Sequence, residues 1–152
     1  MTTIWPTSLS PAALRALRDA LPANALLLDA AERIAYSVDN SKRQALPLAV
    51  ALPETAEQVT ALVAACAEHG LPITARGRGT NTTGASVPVA GGVALSFERM
   101  RRIVEIHTAD RYAVVEPGVL NGDLQAVLAP HGFFWPPDPT SAPYSTIGGN
   151  LA

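Results

Sequence analysis

The chain has 152 residues, of which 48% are hydrophobic and 16% charged, and its formal net charge is −2. That length carries one domain with a proper core, and the composition excludes a disordered chain. The near balance of charge excludes a global field for nucleic acid or an anionic membrane, so any anion site has to be local. Cys66 is the only cysteine, which rules out an internal disulfide and a cysteine-rich metal site.

The opening MTTIWPTSLSPAAL lacks the basic head and long apolar run of a secretory signal, and no stretch has the length of an integral membrane segment. The expected location is cytoplasmic. Ser10 is placed to cap a first helix with Pro11 in its first turn, and Leu14, Leu17 and Leu21 fall on one face. Residues 26–45 are mixed and read as short helix and loop. The run LPLAVAL (46–52) suits a strand buried on both faces. Thr55 and Gln58 have the spacing of a capping box, Val59, Leu62, Val63 and Cys66 follow at helical spacing, and Gly70 fits a helix stop. LPITAR (71–76) returns as a strand. Strand, helix and strand with short joints predict a βαβ unit with two parallel strands.

RGRGTNTTGAS (76–86) hangs from the carboxyl end of that second strand, the edge at which open α/β sheets bind ligands. It fails the dinucleotide pattern GxGxxG, because Thr82 stands where a third glycine is needed. It fails the P-loop pattern too, because Ala85 stands where the lysine is needed. Its glycines still let backbone N–H groups converge on oxygens, and Arg76 and Arg78 add positive charge. Composition alone leaves a mobile turn with solvated arginines equally open. Further along, GGVALSF (91–97) reads as a strand. RIVEIH and YAVVEP flank a polar turn at 108–111 as an antiparallel hairpin. Asn121 is placed to cap a helix bearing Leu124, Val127 and Leu128, and FFWPPDPTSAP reads as a rigid loop. His69, His107 and His131 have no credible catalytic or metal partner and read as structural. Asp138 and Trp135 suit turn chemistry and packing. The terminal STIGGNLA reads as the opening of a further element, so the chain is expected to be part of a longer one.

Taken together, RGRGTNTTGASVP (76–88), VVEPGV (114–119) and PPDPTSAPYSTIGGNLA (136–152) resemble, in order, the flavin-binding segments of FAD-linked oxidases of the vanillyl-alcohol oxidase type, with their PCMH-type FAD-binding domain. The likeness is nearest to the D-2-hydroxyacid branch of glycolate oxidase catalytic subunits and D-lactate dehydrogenases, and covers roughly residues 32–152. The resemblance implies an α+β fold, a small parallel βαβ subdomain followed by a mainly antiparallel β subdomain, here truncated. It implies an N-terminal helical segment at 1–31 and the N-terminal portion of the FAD-binding domain at 32–152.

Carried over by position, Arg76, Gly77, Arg78, Gly79, Thr80, Asn81, Thr82, Thr83 and Gly84 would cradle the FAD pyrophosphate. Pro117 and Gly118 would end a strand against the cofactor. Pro139, Ser141, Thr146, Gly148, Gly149 and Asn150 would form a second wall near the ribityl chain and flavin. Family members that attach flavin through the loop carry a histidine there. This loop has none, so the FAD is expected to be noncovalent. The full-length parent is expected to oxidise a small hydroxy acid by hydride transfer to FAD, passing electrons to an acceptor or to partner oxidase subunits, with any place at the inner membrane peripheral and owed to those partners. No catalytic base is assigned, and the 152-residue chain alone is expected to be inactive. Two alternatives stand beside this reading. One is another FAD-linked alcohol or sugar oxidase or reductase of the superfamily, the other a nucleotide- or anion-binding module without redox chemistry.

Overall fold

The computed structural model describes residues 5–152. The elements in chain order are α1 (Pro11–Asp19), β1 (Leu26–Leu27), α2 (Ala30–Ile34), β2 (Ala49–Ala51), α3 (Ala56–Glu68), β3 (Ile73–Arg76), β4 (Val93–Ser96), β5 (Ile103–His107), β6 (Tyr112–Val115), α4 (Asn121–Leu128), a 3-10 turn (Ala129–His131) and α5 (Ile147–Leu151). The first four residues of the expected N-terminal segment lie outside the described residues.

Local chemistry accounts for the first half. Ser10 Oγ accepts from the Ala13 N–H at 3.1 Å, with Pro11 in the first turn. Thr55 Oγ1 accepts from the Gln58 N–H at 3.3 Å, while Gln58 Oε1 reaches back to the Glu54 N–H at 2.8 Å. The capping box is present, with the return bond shifted one residue outward. Leu17 and Leu62 are fully buried and share one core with Val50, Val93 and Cys66. Burying each of the larger aliphatic side chains is worth about 1.5–3 kcal/mol.

β2 and β3 are parallel, as the βαβ pattern predicts, but they are not neighbours. The sheet order is β1-β2-β4-β3, and β4 lies between them, parallel to both, with Ala49 and Ile73 each in register with Val93. β4 is buried along its whole length, which suits its small residues, apolar but for Ser96. β3 and β4 run the same way without an intervening helix, so residues 77–92 must carry the chain back across the sheet. A connection of that length with no regular structure is uncommon in a compact domain and usually functional. β5 and β6 form the predicted antiparallel hairpin, with a register shift between Ile103 and Glu105.

A second, smaller core of Val119, Leu124, Leu128 and Ile147 lies under α4 and α5. Glu116 ties the base of the hairpin: its carboxylate accepts from the Arg102 backbone N–H at 2.7 Å and from the guanidinium at 2.8 Å. Asn121 does not cap α4 as its sequence position suggests. The cap is Leu120, and the N–H groups of Asn121 and Gly122 donate to the carbonyls of Ser145 and Ala142. Backbone acceptors already serve the helix start, which frees the Asn121 side chain to turn inward. Among the described residues no helix is long and apolar enough to cross a membrane, and no group of three metal-ligating side chains comes together.

Candidate functional site: a cleft between two remote segments

The carboxyl ends of the three parallel strands share one edge of the sheet, and the 77–92 loop leaves from it. A neighbouring segment anchors the loop from outside. The Asn40 N–H donates to the Asn81 carbonyl at 3.1 Å, and Asn40 Nδ2 to the Thr80 carbonyl at 3.3 Å. Asn81 Nδ2 donates to Ser86 Oγ at 2.7 Å, and Ser86 Oγ to Asp39 Oδ2 at 3.3 Å. With those carbonyls engaged, the backbone N–H groups of Arg78, Gly79, Thr80, Asn81 and Thr82 donate no hydrogen bond within the described chain. Five successive free donors in a fixed loop make a concavity that asks for oxygen acceptors.

The second segment arrives from the far end of the sequence. Leu120 pairs with Thr146, and the Ile147 and Gly148 N–H groups donate to the carbonyls of Val119 and Pro117. Thr146 caps α5, its Oγ1 accepting from the Gly149 N–H at 3.3 Å. The two segments touch at Gly77: a methyl group there would collide with Thr146 Oγ1. Glycine is therefore required at 77 by the approach of the opposite wall. Between the walls lies a cleft of about 490 Å3.

Of the residues predicted for the site, Gly77, Arg78, Gly79, Thr80, Asn81, Thr82 and Thr83 line one side of this cleft, and Pro139, Ser141, Thr146, Gly149 and Asn150 the other. The sequence reading did not include Ala75, Ala85, Ser86, Ser145 and Ala152, which also line it. All but Ala75 lie inside the quoted runs 76–88 and 136–152, where Ser86 and Ser145 are the two with polar side chains.

Five predicted residues do not line the cleft. Arg76 turns away from it. Its guanidinium donates to the Val38 carbonyl at 2.6 Å and the Ala35 carbonyl at 3.2 Å, and lies 5.8 Å from the centre of the Tyr36 ring. Burial pushes it below the ordinary arginine value, against the opposing pull of Asp39, Tyr36 and Glu98. Arg76 therefore holds the loop in place. Gly84 packs against the Arg43 side chain, Gly118 fits under the carbonyls of Phe97 and Met100, and Gly148 lies against Pro117. Pro117, Gly118 and Gly148 thus form the layer behind the second wall. Arg78 is exposed at the cleft and makes no salt bridge among the described residues, so its charge is available to a ligand there.

Glu98, at the sequence distance of a ribose-binding carboxylate, is engaged elsewhere. It accepts from the Tyr36 hydroxyl at 3.0 Å and from Ser96 Oγ at 3.1 Å. Burial and the Glu98 charge push the Tyr36 hydroxyl up to about 12. Trp135 is held by its backbone, whose N–H and carbonyl pair with the Gln125 amide at 2.9 and 2.6 Å. A second hollow of about 510 Å3, between the hairpin and α4, is lined by Ile106, Val115, Leu124 and Phe133 among others. Its lining is mostly apolar, with His107, Thr108 and Arg111 at the hairpin turn, and Trp135, which also lines it, has a buried Nε1 with no partner among the described residues.

Comparison with known proteins identifies the family and the fold. A family model described as an FAD binding domain matches residues 47–152. The chain is 40% identical over 122 residues to the glycolate oxidase subunit GlcD of Bacillus subtilis (strain 168), covering 80% of this chain and 26% of that protein. It is 35% identical over 142 residues to the D-2-hydroxyglutarate dehydrogenase of Stutzerimonas stutzeri (strain A1501), covering 93% of this chain and 31% of that one. Its fold is similar to that of p-cresol methylhydroxylase with substrate bound, with a TM-score of 0.71 at 26% identity, over 86% of this chain and 27% of the other. The chain thus spans between a quarter and a third of the length of these relatives.

Proposed function

The chain belongs to the FAD-binding domain family, and we propose that it forms the FAD-binding part of a flavin-dependent oxidoreductase acting on a D-2-hydroxy acid of the glycolate or D-lactate kind. The observation that carries this reading is the single cleft formed by residues 77–83 and 139–150, with a row of unpaired N–H groups on one wall. Those donors, the hydroxyls of Thr80 and Thr82 and the Arg78 guanidinium would take the pyrophosphate oxygens. Pro139, Ser141, Thr146, Gly149 and Asn150 would border the ribityl chain and the ring. Pro117, Gly118 and Gly148 would support that wall from behind. Arg76 and Gly84 act one layer out, keeping the loop in shape.

Held by these residues, FAD would supply the two-electron acceptor for a hydride from the hydroxyl-bearing carbon. The chain's own residues bind and orient it. Among the described residues no histidine or carboxylate side chain lines the cleft, and no residue of this chain is assigned the hydroxyl proton. In this reading residues 1–31 are an N-terminal segment, whose Leu26–Leu27 strand joins the main sheet, and 32–152 the first portion of the FAD-binding domain. FAD would be held without a covalent bond, the location would be cytoplasmic, and electrons would pass to an acceptor or partner oxidase subunits. The hydroxy-acid assignment draws on the relatives named for glycolate and D-2-hydroxyglutarate.

The test is anaerobic reduction of the purified full-length protein. Glycolate, D-lactate or D-2-hydroxyglutarate should bleach the flavin absorption, and L-lactate should not. Bound flavin that no D-2-hydroxy acid bleaches would refute the substrate class. Protein purified and reconstituted without any flavin would refute the cofactor site.

A further inference from the structure

Asn121 is absent from the cleft lining, yet it is completely buried, at 0% exposure. Its Nδ2 donates to the Pro137 carbonyl at 2.8 Å and to Asn150 Oδ1 at 2.9 Å. Its own Oδ1 is buried and has no partner among the described residues. A buried acceptor left unpaired costs stability, so packing alone gives no reason for an amide here. What the amide supplies is two directed N–H groups.

We propose that Asn121 is a positioning residue that decides which end of the Asn150 amide faces the cleft; the inference rests on the FAD reading above. The orientation propagates in steps, each fixed by chemistry. A backbone carbonyl can only accept, so Pro137 forces Asn121 to point its NH2 group inward. That same NH2 group meets Asn150, which must therefore turn its oxygen toward Asn121. The NH2 group of Asn150 is the end that remains, facing Ser145 Oγ at 3.4 Å and any acceptor in the cleft. A rigid carbonyl in the proline-rich loop thus sets a hydrogen-bond donor on the wall of the cleft. FAD is rich in acceptor oxygens and ring nitrogens, so the ligand class fits a donor at this point. The same link fixes α4, the 136–143 loop and α5 relative to one another, so a disturbance at Asn121 reaches the cofactor through one side chain.

The test compares FAD dissociation constants of the full-length protein, read by flavin fluorescence, in a cycle of Asn121→Asp, Asn150→Ala and the double variant. The introduced carboxylate accepts and cannot donate, so Asn150 must flip and turn its oxygen to the cleft. Asn121→Asp should weaken FAD binding about tenfold, the scale of one directed hydrogen bond lost and one acceptor left facing another. In the Asn150→Ala background the same change should cost less than about twofold, because the residue through which it acts is gone. Affinity of the Asn121→Asp protein should recover as pH falls through the value of the introduced carboxyl, since the protonated form donates again.

Asn121→Leu guards against a folding artefact. It removes the unpaired oxygen, should unfold no earlier than Asn121→Asp, and should still bind FAD more weakly than wild type. Wild-type affinity in Asn121→Asp, or an equal loss with and without Asn150, would overturn the positioning role while leaving the FAD site intact. No effect of Asn150→Ala on FAD affinity would instead overturn the placement of Asn150 at the cofactor, and the inference with it.

Discussion

Gly79 is where loop shape and loop anchoring meet, and Gly79→Ala should be costly out of proportion to one methyl group. Its φ is +68°, in the left-handed region, where a side chain costs about 1–2 kcal/mol. The added methyl would also lie 2.8 Å from Arg76 Cζ and 3.1 Å from Nη1. The arginine cannot simply swing aside, because it is buried and donates to the Val38 and Ala35 carbonyls. Losing one such charge-assisted bond costs about 1.5–3 kcal/mol. Restricting the unfolded chain returns about 0.4–1 kcal/mol, leaving a net loss of about 2–4 kcal/mol. Urea unfolding followed by circular dichroism measures it, with Arg78→Ala as the comparison. Arg78 is exposed and unpaired, so its removal should change stability by less than about 0.5 kcal/mol. For FAD affinity in the full-length protein the order should be the same: Gly79→Val should cost far more than Arg78→Ala, whose loss should stay near 1 kcal/mol, about fivefold. A Gly79→Ala protein as stable as Arg78→Ala would refute the coupling of Gly79 to Arg76.

Further outcomes follow from other parts of the structure. The hydrogen bonds from Arg102 hold the Glu116 carboxyl below its ordinary value of 4.5. Its folded value lies under its unfolded one, so its contribution is complete above pH 4.5 and is lost as pH falls through the folded value. The urea midpoint of wild type should therefore fall more steeply below that pH than that of Glu116→Gln, and equal slopes would contradict the assignment. Burial pushes the Cys66 thiol up to about 11, so a thiol reagent near neutral pH should react only after unfolding. Rapid labelling of the native chain would place Cys66 outside the core. Flavin bound by the full-length protein should be released by acid precipitation, and flavin retained on a peptide spanning 76–86 would show a covalent link.

The sequence carried the local devices well. Ser10, Thr55 and Gln58 announce helix starts because capping is settled within four residues, and the hairpin is visible because its partners are adjacent. The glycine loop was legible as an irregular connection leaving the sheet edge for the same reason. Long-range placement was not. Nothing in VALS says that it inserts between β2 and β3, since a doubly buried strand reads alike at any central position. Arg76 looked like an anion ligand because its neighbours are glycines. Its actual partners are carbonyls nearly forty residues upstream, which no local pattern reveals. Asn121 looked like a cap because asparagine before an amphipathic run usually is one, and only the chain returning at 142–145 supplies the carbonyls that make the cap unnecessary. The second wall of the cleft became readable through its likeness to a family, since TIGGN by itself describes a helix start and nothing more.

The central claim, that one cleft between residues 77–83 and 139–150 holds FAD, is tested most directly by hydrogen–deuterium exchange of the full-length protein with and without FAD. Amides of 78–82, which have no partner among the described residues, should gain protection on loading, together with those of 145–150. The β5–β6 hairpin should exchange as before. Protection confined to the hairpin and the apolar hollow beside it, with the glycine loop unchanged, would contradict the account.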